Sequence, residues 1–479
     1  MPRYEFSQGT SNKFWEIELA SKSFTTTYGK IGAGGQTTIK QFASDAEARK
    51  EHDKVVAEKV KKGYVLVGGG AKAPPVKGAK PTTTADAAPA IGKRDARNPA
   101  LEAAIAADPS DREAYAVFGD WLQEQGDPRG ELISLQLAYK DKQGKALIEK
   151  HADYFLGPLA EHVKVYDSGA NNSVSKLRTP AQEKEWQKTH EDAFLWRNGF
   201  IYRVRLSHDV YSHEDFKGEL STILEQVLAH PSGRYVAELA FMSNGDPNED
   251  DLQDLIDVLA RRAPATTRKL VFGDNVDQIS WHHTGDLGKL WKAVPKLRVL
   301  ELETGQFEVR KLHAPALERA IFITGGLSRS CGKDIATAVM PAIQHLEIYY
   351  GSSNYGGECT MQEVRPLLDR TDLGNLAYLG LKNSEFADEL ATNLLGAKVL
   401  KGLKTLDLSH GVLTDEGARA LVAAKESLAH LECLDLSQNY LSKAGSKLVK
   451  GLCKTVITDK QKAADEDGED VYRYVSVAE

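Results

Sequence analysis

The chain contains few cysteines and no long hydrophobic run. Its four cysteines lie far apart among 479 residues and form no Cys-x-x-Cys pair. A few widely spaced cysteines favour reduced thiols in a cytoplasmic protein and argue against a zinc knuckle. No stretch approaches the roughly 18 consecutive apolar residues of a membrane helix, and the N-terminal sequence MPRYEFSQGT lacks the apolar core of a secretory signal. We expect no membrane association.

The common catalytic signatures are absent from the sequence as well. It contains no His-Glu-x-x-His, no Gly-x-Ser-x-Gly and no Gly-Lys-Ser/Thr, which excludes the usual zinc-protease, hydrolase and phosphate-loop motifs. The pairs His190-Glu191 and His282-His283 stand alone. We therefore expect a protein that is not an enzyme and that uses no cofactor.

Length and charge indicate several domains with different partners. A chain of 479 residues exceeds one ordinary core, so two to four domains are expected. The net charge is −7, yet residues 1–67 carry 11 Lys/Arg against 8 Asp/Glu. This basic front end fits an anionic partner, although a few lysines that keep a small domain soluble would give the same balance.

A mobile linker is predicted at residues 68–97. The segment is rich in Gly, Ala, Pro, Thr and Lys and has almost no large apolar residues. It cannot bury enough surface to offset the conformational entropy of ordering it. Residues 1–67 are therefore predicted to be a separate domain.

The pattern within residues 1–67 predicts strands followed by one helix. In Phe14–Leu19 apolar and acidic residues alternate, as in a half-buried strand. Ser23–Tyr28 and Gln36–Phe42 predict two more strands around a glycine-rich turn. Ser44-Asp45-Ala46-Glu47 forms a capping box that begins a helix ending near Gly63.

This order, with Phe14-Trp15-Glu16 and Tyr28-Gly29-Lys30-Ile31-Gly32, resembles the WGR domain family. The resemblance implies a small antiparallel sheet backed by one helix. In the polymerases of this family, the signature tryptophan and arginine pack against a broken DNA strand. Tyr28 and Lys30 occupy the matching positions here. Tyr28 has a smaller aromatic ring than tryptophan, and the Lys30 ammonium is a point charge where arginine has a bidentate guanidinium.

The resemblance makes nucleic acid a candidate partner of the first domain. The candidate contacts are Tyr28, Gly29, Lys30 and Lys40. Tyr28 could stack on a base or sugar and Lys30 could neutralise a phosphate. In the alternative interpretation, Tyr28 closes the sheet edge and Lys30 is solvated.

A helical segment is predicted at residues 98–195. Asn98-Pro99 begins one helix, and Asp108-Pro109-Ser110-Asp111 ends it and caps the next. Asp127 and Pro128 suit the N-cap and first position of a third helix. The phrases Gly119-Asp120-Trp121-Leu122 and Gly126–Glu131 resemble a small bacterial domain that accompanies repeat arrays. That resemblance supports the position of this segment beside a repeat array, and it implies no catalytic chemistry.

Residues 196–455 repeat one short pattern: apolar, two free residues, apolar, one free residue, apolar. Its clearest copies are Leu403/Leu406/Leu408 and Leu431/Leu434/Leu436. They resemble ribonuclease-inhibitor-like leucine-rich repeats. Seven weaker copies precede them, at intervals of 20 to 35 residues. The predicted fold class is thus a multidomain α+β and α/β protein: a WGR-like sheet with a helix, a flexible linker, a helical segment and a leucine-rich-repeat solenoid.

The free strand positions of the repeats are predicted to form a concave binding face, because side chains alternate along a strand. We number these positions third, fifth and seventh within each copy. The middle copies place apolar and aromatic residues there, beside acids, as in a protein-binding patch. The candidate residues are Val271, Val299, Glu301, Ile321, Ile323, Glu347, Tyr349 and Tyr378. Alternatively, register slips turn these residues inward, or another part of the chain covers them.

Residues 456–479 form an acidic tail that ends in an alternating segment, Tyr472–Val477. The acidic run is expected to be solvated, and the alternating end is expected to add a capping strand to the last repeat.

The sequence predicts two alternative functions. The first is a non-catalytic scaffold that binds a protein partner on the concave face, and the alternative is a factor that binds DNA or RNA ends through the first domain.

Overall fold

The computed structural model describes residues in two compact units, Met1–Ala88 and Pro89–Glu479. The residues that it does not describe are 1–2, 9–10, 21, 32–35, 43, 62–64, 68–94, 165–178, 190–191, 208–218, 243–251, 274–278, 469 and 479. Most of the predicted linker, 68–97, lies outside the described residues, as does the glycine run 32–35.

In its described residues, the first unit is a five-stranded antiparallel sheet with one helix. Its elements are β1 (Arg3–Gln8), β2 (Ser11–Ala20), β3 (Ser23–Lys30), β4 (Gln36–Gln41), α1 (Asp45–Lys61) and β5 (Val65–Val67). The strand order is β4-β3-β2-β1-β5. The three predicted strands and the helix are present, and the sequence pattern missed β1 and the edge strand β5.

One face of this sheet carries the core of the first unit. Trp15 and Ile17 on β2 are buried together with Tyr4 and Phe24 from the neighbouring strands. Val55 and Val56 of α1 pack against them. The alternation in Phe14–Leu19 therefore predicted the buried face correctly.

The second unit opens with a group of helices. They are α2 (Pro99–Ala107), α3 (Arg112–Glu124), α4 (Pro128–Leu137), α5 (Asp141–Lys150), α6 (Ala152–Phe155) and α7 (Pro180–Thr189). The caps are those that the sequence predicts: Asn98 and Asp111 cap α2 and α3, and Asp127 caps α4 by accepting from the Arg129 amide at 2.9 Å.

Arg129 joins these helices to the first repeat. It is 2% exposed, and its guanidinium donates to the Gly199 carbonyl at 2.7 Å and to Ser232 Oγ at 3.1 Å. The same group lies 4.7 Å from the Phe200 ring centroid and 5.2 Å from that of Tyr154. The helical segment thus covers the open end of the repeat array, where an apolar edge would otherwise meet water.

The repeats form one large sheet. Its strands are β6 (Phe194–Arg197), β7 (Phe200–Ser207), β8 (Glu238–Met242), β9 (Lys269–Phe272), β11 (Val299–Glu303), β13 (Arg319–Ile323), β14 (His345–Gly351), β15 (Tyr378–Ser384), β16 (Thr405–Asp407), β17 (Cys433–Asp435) and β18 (Val456–Ile457). Outside this sheet lie β10 (His283–Asp286) paired with β12 (Gln306–Glu308), and β19 (Asp465–Asp467) paired with β20 (Asp470–Tyr472).

Helical elements connect the strands. The α-helices are α8 (Leu220–Ala229), α9 (Gln253–Arg262), α10 (Leu290–Ala293), α11 (Arg329–Ala336), α12 (Met361–Leu368), α13 (Ala387–Asn393), α14 (Asp415–Ala423), α15 (Lys425–Leu428) and α16 (Lys443–Leu448). Short 3₁₀ helices span Gly157–His162, Pro231–Gly233, Ile279–Trp281, Leu287–Lys289, Ser353–Tyr355 and Lys398–Gly402. Within the described part of the chain, no helix is long and apolar enough to cross a membrane.

All nine predicted repeat strands are present and run parallel in one register; they are β7, β8, β9, β11, β13, β14, β15, β16 and β17. Leu270 of β9 pairs with Leu239 and Leu300 on either side, and Leu406 pairs with Leu379 and Leu434. These middle leucines are fully buried in one continuous core. The register-slip alternative is therefore excluded for the described strands.

Replacement of Arg129 tests the junction between the helices and the repeats. Arg129→Met is expected to lower the free energy of unfolding by about 3 kcal/mol, because a charged hydrogen-bond donor and its stacking are lost inside the fold. Arg112→Met is the matched control, since Arg112 is exposed and bonds the Leu137 carbonyl at the surface. Urea denaturation monitored by circular dichroism measures both variants, and equal losses would contradict the assignment.

Candidate interaction surface

Parallel register gathers the predicted residues on one face of the large sheet. The fifth-position row runs Val271, Glu301, Ile321 and Glu347 across adjacent strands. Val299 and Tyr378 lie in the third-position row, and Ile323 and Tyr349 in the seventh. The sequence therefore placed these side chains on a shared face correctly.

The expectation that this patch is exposed is wrong for its fifth- and seventh-position residues. Val271, Ile321, Ile323 and Tyr349 are at most 6% exposed, and Glu301 and Glu347 are 5% and 9% exposed. Val299 and Tyr378, both third-position residues, are half-buried. Of the alternatives drawn from the sequence, the structure supports the one in which another part of the chain covers the face.

The covering segment is the end of the acidic tail. Val477, 2% exposed, belongs to the same apolar cluster as Val271, Ile321, Ile323 and Tyr349, which Ala240 and Ile279 complete. Asn383, at the end of β15, bonds the main chain of the tail: its Oδ1 accepts from the amides of Ser476 and Val477, both at 2.9 Å.

The predicted capping role of Tyr472–Val477 is wrong. The strand that pairs with the last repeat is β18, which lies before the acidic run. Tyr472 instead belongs to the hairpin β19–β20. Val477 packs with residues of β13 and β14, and Asn383 of β15 bonds the amides of Ser476 and Val477. The acidic residues Asp465–Asp467 are exposed, as expected.

The acids of the predicted patch are neutralised by cations on the same face. Glu301 lies between Lys269, at 2.6 Å, and Arg319, at 3.2 Å. Both cations come from the third-position row of the neighbouring strands and remain about one-third exposed, at 31% and 34%. The acidic rim is thus a set of ion pairs with their cations on the solvent side.

A second charged network lies deeper, under the tail. Lys382 Nζ lies 3.0 Å from Glu347 and 3.1 Å from Asp407, and all three side chains are at most 12% exposed. Tyr378 donates to Asp407 at 2.6 Å. His345 lies 3.2 Å from Glu347 and stacks on Tyr378 with ring centroids 4.0 Å apart.

The ionisation of this network follows from its geometry. Burial raises the pKa of Glu347, but the hydrogen bond with His345 and the charge of Lys382 outweigh burial and lower that pKa to about 2. Burial likewise lowers the pKa of Lys382, but Tyr349, Asp407 and Glu347 outweigh it and keep the pKa above its ordinary value. Glu347 and Lys382 therefore face each other as a charged pair at neutral pH.

Sequence reasoning missed several residues of this surface. Lys382 and Asp407 occupy free strand positions, but only the register shows that both meet Glu347. Asn383, near the end of β15, and His410, after β16, both lie in the left-handed backbone region, with φ of 56° and 69°. No spacing rule indicates that Asn383 would bind the tail.

The nucleic-acid candidates lie in the first unit. Tyr28 is 42% exposed and pairs with Gln36 of β4. Lys40 is exposed, pairs with Phe24 and lies 4.0 Å from Glu51. Tyr28 and Lys40 are thus about 14 Å apart along the strands. Gly29 and Lys30 end β3 opposite Phe14 and Lys13, and the Lys30 side chain lies outside the described residues.

Comparison with known proteins agrees with both resemblances. Residues 3–70 match the WGR domain family. Residues 403–422 match a leucine-rich repeat family. These matches confirm the WGR resemblance at the N-terminus and the leucine-rich-repeat resemblance near the C-terminus.

Curated bacterial relatives match the WGR region alone. The uncharacterized protein YfeS of Escherichia coli K12 is 39% identical over 62 residues, and protein YehF of the same organism is 40% identical over 65. These alignments cover 13% and 14% of this chain and 25% and 24% of the relatives. The chain therefore spans about a quarter of the length of the curated relatives that it matches.

One solved structure, a protein from Bacteroides fragilis, aligns with 96% of this chain and 97% of its own. The sequence identity is 22% and the TM-score is 0.46.

Replacement of Lys382 tests the buried network. Lys382→Met is expected to lower the free energy of unfolding by about 3–5 kcal/mol, because Glu347 and Asp407 are left buried without a cation. Lys382→Met with Glu347→Gln and Asp407→Asn removes the stranded charges and is expected to recover part of the loss. Chemical denaturation at pH 7 measures both variants. A triple variant less stable than the single one would contradict the charge assignment.

Proposed function

We propose that this protein is a non-catalytic interaction scaffold that binds a protein partner on the concave face of its repeats. One observation supports the proposal above the others: this face already holds an extended polypeptide segment, through main-chain hydrogen bonds and a buried apolar cluster. A surface that accommodates one extended segment has the shape and polarity to bind another.

The accessible part of the face is the third-position row. Its members are half-buried and mix both signs of charge: Arg203, Glu238, Lys269, Val299, Arg319, His345, Tyr378, Thr405 and Cys433. Rigid strands space these side chains about 4.8 Å apart. Such a ladder suits a partner of complementary mixed charge, since charge pattern gives specificity and register.

Two substitutions in this row test the proposal without disturbing the core. Val299→Glu places an acid between Lys269 and Arg319, and Thr405→Arg places a cation beside Asp407 and Asp435. Each new charge lies beside opposite charges, so the core is not disturbed. The pattern of charge that the surface presents to a partner nevertheless changes. In affinity capture with quantitative mass spectrometry, the double variant is expected to recover specific partners at least tenfold less than the wild type.

The matched control is Val339→Glu with Leu395→Arg. These residues are 46% and 63% exposed and lie outside the concave face. The control is expected to recover partners as the wild type does. Equal recovery by the concave-face variant and the wild type would contradict the proposed surface.

A second candidate function is nucleic-acid binding by the first unit. The exposed ring of Tyr28 favours it, because an aromatic side chain open to solvent can stack on a base at the end of a strand. The net positive charge of residues 1–67 adds a sequence-independent attraction.

Fluorescence anisotropy with nicked and blunt DNA duplexes at several salt concentrations tests this candidate. Tyr28→Ala and Lys40→Glu are each expected to weaken binding about tenfold, and Lys40→Glu is expected to reduce the salt dependence. Lys54→Glu is the control, because it changes the same charge at an equally exposed site. An absence of binding, or equal effects of Lys40→Glu and Lys54→Glu, would reject this function.

A further inference from the structure

We infer that the pocket formed by Ile321, Ile323, Tyr349 and Asn383 is a binding groove for an extended peptide segment of a protein partner. Residues 474–478 of the tail, which follow the last assigned strand and which we call the tail strand only for brevity, occupy it as an internal competitor. This inference rests on the proposed function and specifies its ligand. The preferred ligand has apolar residues at two alternate positions.

Recognition of the tail strand relies on its main chain. Besides accepting two amide protons, Asn383 donates from Nδ2 to the Val477 carbonyl, so one side chain pairs with both polar groups of the same residue. The Ser476 amide also donates to the His410 carbonyl at 2.9 Å. Main-chain groups are common to every peptide, so these bonds accept any extended segment.

Selectivity comes from alternate side chains of the tail strand. Val475 and Val477 are buried, at 8% and 2% exposure, whereas Tyr474 is 53% exposed and Ser476 is exposed. This period of two is that of a strand with one face on a surface. Val477 fills the space between Ile321, Ile323 and Tyr349, and a charged residue there would be buried without a partner.

A glycine allows the main chain of the tail strand to come close. A Cβ atom at Gly325 would lie 2.0 Å from the Ala478 carbonyl oxygen, and the three atoms nearest to it all belong to Ala478. Gly325→Ala therefore obstructs the occupant of the groove and meets no closer atom of the repeats. A substitution at Gly325 is therefore expected to act on the segment bound in the groove.

The groove does not need the tail to balance its charges. Lys382 is paired with Glu347 and Asp407, which belong to the repeats, and Tyr378 is bonded to Asp407. Departure of the tail strand exposes apolar side chains and the Asn383 amide, and it removes no counter-ion from these pairs. An apolar pocket beside a few fixed polar groups is a typical ligand site.

The tail strand is joined to the last repeat by the exposed hairpin β19–β20 and is held there by a second set of contacts. Lys462 donates to the Tyr474 carbonyl at 2.6 Å, and the Tyr474 amide donates to the Tyr440 hydroxyl at 2.8 Å. These contacts keep the competitor near the groove, so its effective concentration is high. An external peptide binds well only when the tail strand is displaced.

The experiment uses the full chain and a fluorescein-labelled peptide with the sequence of residues 473–478, Arg-Tyr-Val-Ser-Val-Ala. Val477→Asp is expected to expel the tail strand, so that the variant binds the peptide at least tenfold more tightly than the wild type in fluorescence anisotropy. Tyr472→Asp is the control, because it introduces the same charge at an exposed hairpin position. It is expected to bind as the wild type does.

Further changes in the Val477→Asp background test the groove itself. Asn383→Gly keeps the left-handed backbone accessible and removes the amide, and Gly325→Ala obstructs the main chain. Each is expected to weaken peptide binding at least tenfold, and a peptide with aspartate in place of its second valine is expected not to bind. Val475→Asp provides an independent release variant if thermal unfolding shows that Val477→Asp is not folded.

Two results would overturn the inference: folded release variants that bind no peptide, or peptide binding that Asn383→Gly and Gly325→Ala leave unchanged. Either result leaves the proposed function standing if partner capture still depends on Val299 and Thr405. Loss of that dependence rejects the proposed function whatever the peptide does. The two failures are therefore distinguishable.

Discussion

The second unit depends on one constraint: a single repeat cannot bury its own apolar edge. Each middle leucine, such as Leu270 or Leu406, reaches full burial only between the equivalent residues of its two neighbours. The array therefore needs a cover at each end. Arg129 and its helices supply the cover at the first repeat, and β18 follows the last repeat. The free side of the sheet is left available for other contacts.

The same regularity organises the charges of that side. Since the strands are parallel and in register, acids of the fifth-position row lie next to bases of the third- and seventh-position rows on neighbouring strands. Glu301 receives Lys269 and Arg319 in this way, and Glu347 and Asp407 share Lys382. Side chains that would repel or remain unpaired in isolation become a ladder of ion pairs, with some members in solvent and others buried.

The repeats could be predicted from sequence because their signal is periodic. Leucines at fixed spacing predicted the strands and the register, and Asn98, Asp111 and Asp127 predicted caps from local chemistry. The covered state of Val271, Ile321 and Tyr349 could not be predicted. The alternation around Val475 and Val477 indicates an extended segment with one apolar face, but it does not say which surface that face contacts. The choice depends on Asn383, which lies more than 90 residues earlier in the chain.

The tail strand also changes how the array holds together under stress. Repeat arrays contact only their nearest neighbours, so they can unravel from one end a unit at a time. Here the bonds between Asn383 and residues 476–477 bypass β16 and β17 and join the end of the chain to β15. Fraying of the last repeats must therefore break contacts in the middle of the sheet. The C-terminal repeats gain the cooperativity of a closed structure while keeping the architecture of an open one.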